Sequence, residues 1–206
     1  MAKVGFIGLG AMGLVMARNI IEAGHNVVGY DTSADAIEQH VANGGVASTS
    51  PSDAAQGAEI VITMLPIGNV VKSVLFDTSG VVKTINAGSI VIDMSTINPS
   101  ETDEIRDALT AKGVRMIDAP VGRTSEQAKT GTLLIMAGGN SADIEEARPV
   151  LECMGDLIVD CGGPGAGARM KIVNNLMTTV LNVLTAEVLT FAESTGLDRD
   201  LAIEVM

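Results

Sequence analysis

Aromatic residues make up only 2% of the 206-residue sequence, and tryptophan is absent. A core without large rings closes by bringing backbones together. The 23 glycines, with abundant Ala, Val, Ile and Met, suit that kind of packing. Basic residues are scarce: 13 Lys and Arg stand against 25 Asp and Glu, giving a formal net charge of −12. No basic stripe offsets that field, which argues against a nucleic-acid partner. A small anion would also be repelled at long range, so it would need a local positive pocket. Cys153 and Cys161 lie eight apart with no His nearby, which is neither a zinc pattern nor a disulfide framework. They read as small core thiols in a reducing cytosol. No continuous apolar run reaches the roughly 18 residues of a membrane span, and the N-terminus lacks a signal peptide's apolar region. The composition, 47% apolar, predicts a cytoplasmic protein of one domain or slightly more, with no membrane partner.

What is present is an alternation of two periods. Short apolar runs bounded by Gly or polar residues predict buried parallel strands at Val4–Ile7, Asn26–Tyr30, Glu59–Met64, Ser89–Asp93, Val114–Ile117, Leu133–Ala137 and Leu157–Val159. Helical spacing predicts Met12–Ala23, Ala34–Ala42, Asn69–Leu75, Pro99–Lys112 and Ala142–Met154 between them. The fourth of these has a start signal, with Asn98 as cap, Pro99 at the first position and Glu101 three after the cap. The alternation predicts an α/β fold, a Rossmann-type, doubly wound and mostly parallel sheet over residues 1–163. The pattern breaks at GGPGAGAR, residues 162–169. Residues 164–206 then read as a long helix, Lys171 to about Ser194, and a second from Asp198, the start of an all-helical domain. Two helices cannot bury their own apolar face, so further chain or another subunit is expected to cover it.

GFIGLGAMG supplies Gly8, Gly10 and Gly13 as G-x-G-x-x-G, after a strand and before a helix, with Asp31 at the end of the next strand, 18 residues past Gly13. In that context each residue has a physical task. Gly8 allows a tight turn, Gly10 lets backbone N–H groups reach a pyrophosphate, and Gly13 lets helix and strand pack closely. The helix N-terminus, Ala11 and Met12 included, faces the phosphates. Asp31 accepts from both ribose hydroxyls and repels a 2′-phosphate, so the cofactor is expected to be NAD and not NADP. Two further strand ends line the same crevice in this reading: Leu65 and Pro66 as an apolar wall, Ser95 and Thr96 as hydroxyls. Each is equally compatible with a plain strand-to-helix turn.

Histidine is the usual proton carrier, but His25 sits in a helix-to-strand turn and His40 on a surface helix, neither at a strand's carboxyl end. KIVNNLMTTVLN offers a different group. Lys171, Asn174, Asn175, Thr178 and Asn182 fall on one narrow helix face, flanked by Ile172, Val173, Leu176, Val180 and Leu181. A surface stripe would favour Glu, Lys and Arg, and Asn and Thr are mediocre helix formers. A lysine beside a nicotinamide suggests hydride transfer to or from a carbonyl. Lys171 donates the proton, Asn175 holds lysine and oxygen, and Asn174 and Thr178 contact the rest of the substrate. In reverse Lys171 acts as a base, which calls for a pKa lowered by burial. No metal-ligand cluster accompanies it. VGRTSEQAKTGTL, residues 121–133, reads as a loop whose small residues let backbone approach an anion, with Arg123 in its midst. A surface arginine pairing with Glu126 or an interdomain acid remains the plain alternative.

GFIGLGAMG, DMSTINP, DAPV…TGTLLIMAGG and GPGAGARMKIVNN, in that order, resemble the β-hydroxyacid dehydrogenase family, which includes 3-hydroxyisobutyrate dehydrogenase. The resemblance implies an N-terminal Rossmann domain, a helical C-terminal domain that helps build the substrate site and joins copies into a homo-oligomer, and a catalytic lysine at Lys171 with Asn174 and Asn175 beside it. The family's Ser-Gly-Gly after Asp-Ala-Pro-Val is Gly122-Arg123-Thr124 here. VGRTS with TGTLL and GGPG is similar to the branch that reduces 3-sulfolactaldehyde with NADH. That branch implies Gly122, Arg123 and Thr124 around a sulfonate, whose three acceptor oxygens suit a guanidinium fork. A carboxylate semialdehyde remains open, because Arg123 would hold a carboxylate too. A non-catalytic NAD-binding module is the third reading.

Overall fold

The computed structural model describes residues 1–206, which divide by contacts into two units, Met1–Lys171 and Ile172–Met206.

The first unit is built on six strands: β1 (Lys3–Ile7), β2 (Asn26–Tyr30), β3 (Val46–Ala47), β4 (Ile60–Thr63), β5 (Ile90–Asp93) and β6 (Arg115–Asp118). They form one parallel sheet in the order β3-β2-β1-β4-β5-β6. The strand order reverses direction between β1 and β4, and ligands of open α/β sheets bind at that switch point, beyond the strands' carboxyl ends. Strands β4 and β5 are buried throughout, as expected of parallel strands covered on both faces. The connecting helices are α1 (Gly13–Glu22), α2 (Ala34–Ala42), α3 (Pro51–Ala55), α4 (Gly68–Phe76) and α5 (Pro99–Thr110). Two apolar clusters fill the space between helices and sheet. One lies around Phe6, Met16, Ile62 and Ile92, the other around Ile7, Val61, Leu75 and Leu109. At α5 the predicted start holds: Pro99 opens the helix and the Asn98 N–H donates to Glu101 Oε2 at 3.3 Å.

The chain then departs from a single sheet. β7 (Val121–Gly122), β8 (Leu133–Ala137) and β9 (Gly155–Asp160) form a separate three-stranded sheet, with β7 antiparallel to β8 and β9 parallel to it. A lone bridge, Asp118 to Gly138, ties the two sheets. Residues 121–133 are therefore not the predicted loop; they are β7 followed by α6 (Ser125–Lys129). Helix α7 (Ser141–Leu151) follows β8 and precedes β9 in the chain. The helix predicted from Lys171 begins five residues earlier, at Ala166, inside the glycine-rich break, and runs to Ser194 as α8. His40 is also corrected: α2 lies at the surface, but the His40 side chain is fully buried. Its ring fills the space left by Gly29 and Gly45, where an added Cβ would lie 2.6 and 2.2 Å from ring atoms.

The second unit holds the rest of α8 and α9 (Arg199–Val205), which is capped by Asp198 through the Leu201 N–H at 2.9 Å. Most of its apolar residues are exposed, Leu176 and Phe191 among them. By length and mean hydropathy, 1.3 over its most apolar window, α8 is long and apolar enough to cross a membrane. The expectation of no such segment followed from continuous runs, which Asn and Thr interrupt here.

Candidate active site

The β1–α1 turn is shaped by what its glycines exclude. A Cβ on Gly8 would lie 2.3 Å from the Met64 carbonyl oxygen, and Gly8 has a φ of 98°. A Cβ on Gly13 would lie 1.9 Å from the Gly8 carbonyl oxygen. Gly10 is different: a Cβ there would meet nothing within 4 Å, so it borders open space. Helix α1 has no side-chain cap, since Met12 stands at the N-cap, and no acidic residue in its first turn. The N–H groups of Gly10, Ala11 and Met12 donate to no protein acceptor. Uncapped N–H groups at a helix N-terminus, with the positive end of the helix dipole behind them, form an anion site.

That turn borders a cavity of about 450 Å³ lined by Gly8, Gly10, Tyr30, Asp31, Leu65 and Pro66, among others. Asp31 is held in place by its own backbone neighbours: Oδ2 accepts from the Leu9 N–H at 2.7 Å and Oδ1 from the Ser33 N–H at 2.8 Å. Ala11, Met12, Gly13 and Thr96 are not among the cavity's lining residues. Thr96 is exposed, and Ser95 is buried with its Oγ accepting from the Leu65 N–H at 3.0 Å, so this hydroxyl orients the Leu65–Pro66 wall. A nucleotide fits what is present: free N–H groups for a diphosphate, a carboxylate at the end of β2 and an apolar wall opposite.

At the end of β7, Arg123 has a φ of 72°, the sole non-glycine residue with positive φ. Its side chain turns onto β8 and β9: Nη1 donates to the Thr132 carbonyl and, at 2.6 Å, to Asp156 Oδ1. Glu126, the partner the plain reading named, pairs with Lys129 at 2.8 Å instead. Nε and Nη2 of Arg123, the side-on edge of the guanidinium, have no protein acceptor. Thr124 caps α6: its Oγ1 accepts from the Glu126 N–H, and its backbone N–H donates to Gln127 Oε1 at 3.1 Å. Gly122 is buried against Leu134.

On α8, Lys171, Asn174 and Asn175 are partly buried, while the flanking Ile172, Val173, Leu176 and Met177 are exposed. Burial holds the Lys171 ammonium below the usual lysine range. Thr178 is exposed, and its hydroxyl donates to the Asn174 carbonyl at 3.0 Å, a bond within the helix. Both cysteines are free and half-buried, and burial pushes their thiols up, so they stay protonated at neutral pH. His25 Nδ1 accepts from the Ala2 N–H at 3.2 Å, a local structural bond.

One group stands out that the sequence did not single out. Asp118, at the carboxyl end of β6, is buried and accepts from the Gly165 N–H and the Ala168 N–H, each at 2.7 Å. Beside it, in register on β5, Asp93 is buried and accepts from Thr63 Oγ1 at 2.9 Å; burial pushes its pKa up to about 6. The DMST and DAPV runs carried these two carboxylates in plain view. Nothing local told them apart from ordinary strand ends.

Residues 3–163 match the family model described as the NAD-binding domain of 6-phosphogluconate dehydrogenase. The whole chain is 45% identical to the 3-sulfolactaldehyde reductase of Escherichia coli K12, covering 69% of that protein. It is 38% identical over its full length to the NAD-dependent L-serine dehydrogenase of Pseudomonas aeruginosa, again covering 69%. Among solved structures, the 3-hydroxyisobutyrate dehydrogenase of Mycobacterium tuberculosis with L-serine superposes with a TM-score of 0.92 at 36% identity, over 96% of this chain and 67% of that one. The G-x-G-x-x-G turn, the switch-point cavity and these matches agree, and the chain belongs to the 3-hydroxyisobutyrate dehydrogenase family of NAD-binding oxidoreductases.

Proposed function

We propose that the protein reduces a small anionic aldehyde with NADH, and that the aldehyde is 3-sulfolactaldehyde, yielding 2,3-dihydroxypropane-1-sulfonate. The observation that carries the choice of substrate is Arg123 with its free Nε–Nη2 edge, where the family's usual loop has glycine. Two parallel N–H donors suit two oxygens of a tetrahedral sulfonate, while Nη1 stays paired with Asp156, which holds the guanidinium in place. The 45% identity to a 3-sulfolactaldehyde reductase over the whole chain supports the same choice. Gly122 keeps the loop close to β8, and Thr124 fixes the turn that presents Arg123.

When bound, NADH supplies the hydride to the carbonyl carbon. Gly10, Ala11 and Met12 hold its diphosphate through backbone N–H groups, and Gly8 and Gly13 make room for that turn. Asp31 takes the adenine ribose, with its charge set against a 2′-phosphate, so NADP is disfavoured. Leu65, Pro66 and Thr96 line the remaining strand ends. Lys171 holds the proton that neutralises the alkoxide oxygen, and Asn175, one turn along α8, orients the ammonium. Asn174 and Thr178 face the rest of the substrate on the same stripe. In the oxidative direction Lys171 takes the proton, which the lowered pKa favours. Assembly of copies through the second unit belongs to this reading, supported by the exposed apolar residues of α8.

A second reading keeps the mechanism and changes the substrate to a carboxylate semialdehyde, because the same guanidinium edge accepts a carboxylate. The similarity to an L-serine dehydrogenase favours it. Steady-state NADH oxidation separates the two. With 3-sulfolactaldehyde and succinic semialdehyde compared side by side, the first reading expects the higher kcat/KM for the sulfonate, and equal or reversed values overturn it.

A further inference from the structure

Lys171 sits on a helix whose first turn is tied down by one buried side chain. Asp118 uses both carboxylate oxygens: Oδ1 accepts from the Gly165 N–H, just before α8 begins, and Oδ2 from the Ala168 N–H, each at 2.7 Å. Those N–H groups belong to the orphan donors of a helix N-terminus, and the helix behind them is 29 residues long. A carboxylate there makes charge-assisted bonds and meets the positive end of the dipole. The contact is also tight in backbone terms. A Cβ on Gly167 would lie 2.3 Å from the Met136 carbonyl oxygen and 2.4 Å from that of Asp118; one on Gly138 would lie 2.4 Å from the Gly167 N. The first turn of α8 is therefore wedged against β6 and β8 with no slack. Ala168 and Lys171 are three residues apart, so they share a helix face one turn from each other. Arg169 adds a second tie, to Asp103 at 2.6 Å, but at the surface.

We infer that Asp118 is a positioning residue for Lys171. By gripping the Gly165 and Ala168 N–H groups it sets how far the first turns of α8 sit into the first unit, and so how deeply the lysine is buried. The inference rests on the reading of Lys171 as the proton donor. The charged groups around Asp118 are Asp93 on the neighbouring strand and Arg169 on α8, with the Cys161 thiol nearby. Asp118 has no side-chain hydrogen bond other than the two backbone N–H groups of the α8 start. Its task in the fold is the placing of this helix.

The test reads Lys171 directly. Lysines of the full protein are reductively methylated with 13C-formaldehyde, the Lys171 resonance is assigned with Lys171→Arg, and its titration is followed by NMR in wild type, Asp118→Asn and Asp118→Ala. Asn keeps one acceptor and turns its amide against the second N–H; Ala keeps neither. The expected result is a graded rise of the Lys171 midpoint toward the ordinary lysine value of about 10.4, at least about 0.5 unit in Ala. The kcat for aldehyde reduction should fall by about tenfold or more, while NADH affinity stays within about twofold. A lysine midpoint unchanged in both variants overturns the inference. So does a loss of kcat that tracks the folded fraction, measured by thermal melting, with the midpoint in place. Lys171→Ala keeps the two ideas apart: if it retains full kcat the proton-donor reading fails, whatever Asp118 does.

Discussion

Two strand-to-helix turns in the first unit meet the same problem and solve it oppositely. At β1–α1 the helix begins at Gly13 with no side-chain cap from Met12, and the N–H groups of Gly10, Ala11 and Met12 are left without a protein acceptor, Gly10 bordering the cavity. At β7–α6 Thr124 and Gln127 close a reciprocal cap, so the N–H groups of Thr124, Glu126 and Gln127 are already used. In the proposed function the anion at the second turn is held by a side chain, that of Arg123. A backbone anion site reads charge and geometry and accepts any diphosphate. A side-chain site can be altered by one substitution.

The difference can be broken from either side. Charging the uncapped turn should have the largest effect. Met12→Asp puts a negative charge beside the proposed diphosphate site, and NADH affinity is expected to fall by about a hundredfold, from lost charge-assisted bonds of about 1.5–3 kcal/mol each. The same change should lower Tm, because Met12 packs against the core and its backbone is αR, not the extended form from which a side chain caps. Titration of NADH fluorescence and a thermal melt check both. Next, Asp31→Asn should weaken NADH binding by about tenfold, one lost charged hydrogen bond's worth, and narrow the NADH-to-NADPH preference. Asn keeps an acceptor for only one of the Leu9 and Ser33 N–H groups, so a drop in Tm of a few degrees should accompany the loss.

Opening the filled cap should matter less. Thr124→Ala removes the α6 cap and is expected to cost about 1 kcal/mol, or about 2–4 °C in Tm, with NADH binding unchanged.

The smallest effect concerns pH. Burial lowers the His40 pKa, so the native state resists the proton that the unfolded chain takes up below about 6.5. Stability from His40 is present above that pH and is lost as pH falls through it. Asp93 acts in the opposite sense. Its native pKa of about 6 lies above the ordinary 3.8, so its contribution grows as pH falls from 6 toward 3.8. Comparing wild type with His40→Gln isolates the first: the wild type should lose about 1–3 °C more than the variant between pH 7.5 and pH 6.

The cofactor half of this comparison was legible in the sequence because it is written locally: Gly8, Gly10, Gly13 and Asp31 fall at fixed spacings within one β-α-β unit. The long helices and the buried strands were legible because their periods run long enough to count. β3 and β7, with two residues each, and α3 and α6, with five, are too short to carry a period. The start of α8 was hidden because Gly and Pro before and within its first turn read as a break. What fixes that turn is Asp118, 47 and 50 residues away from the N–H groups it holds. Likewise Arg123 finds Asp156 across 33 residues, where sequence proximity pointed to Glu126. His40 looked exposed because its helix is; its burial depends on Gly29 in β2 and Gly45 just before β3, which no helical pattern reveals.

The central claim is that the two anions are held by separate means, the diphosphate by backbone and the substrate by Arg123. Arg123→Ala tests it in one preparation. Loss of a charged hydrogen-bonding group is expected to raise KM for 3-sulfolactaldehyde by about 10–100-fold, while the Kd for NADH stays within about twofold. An unchanged KM, or a KM and a Kd that rise together, contradicts the account.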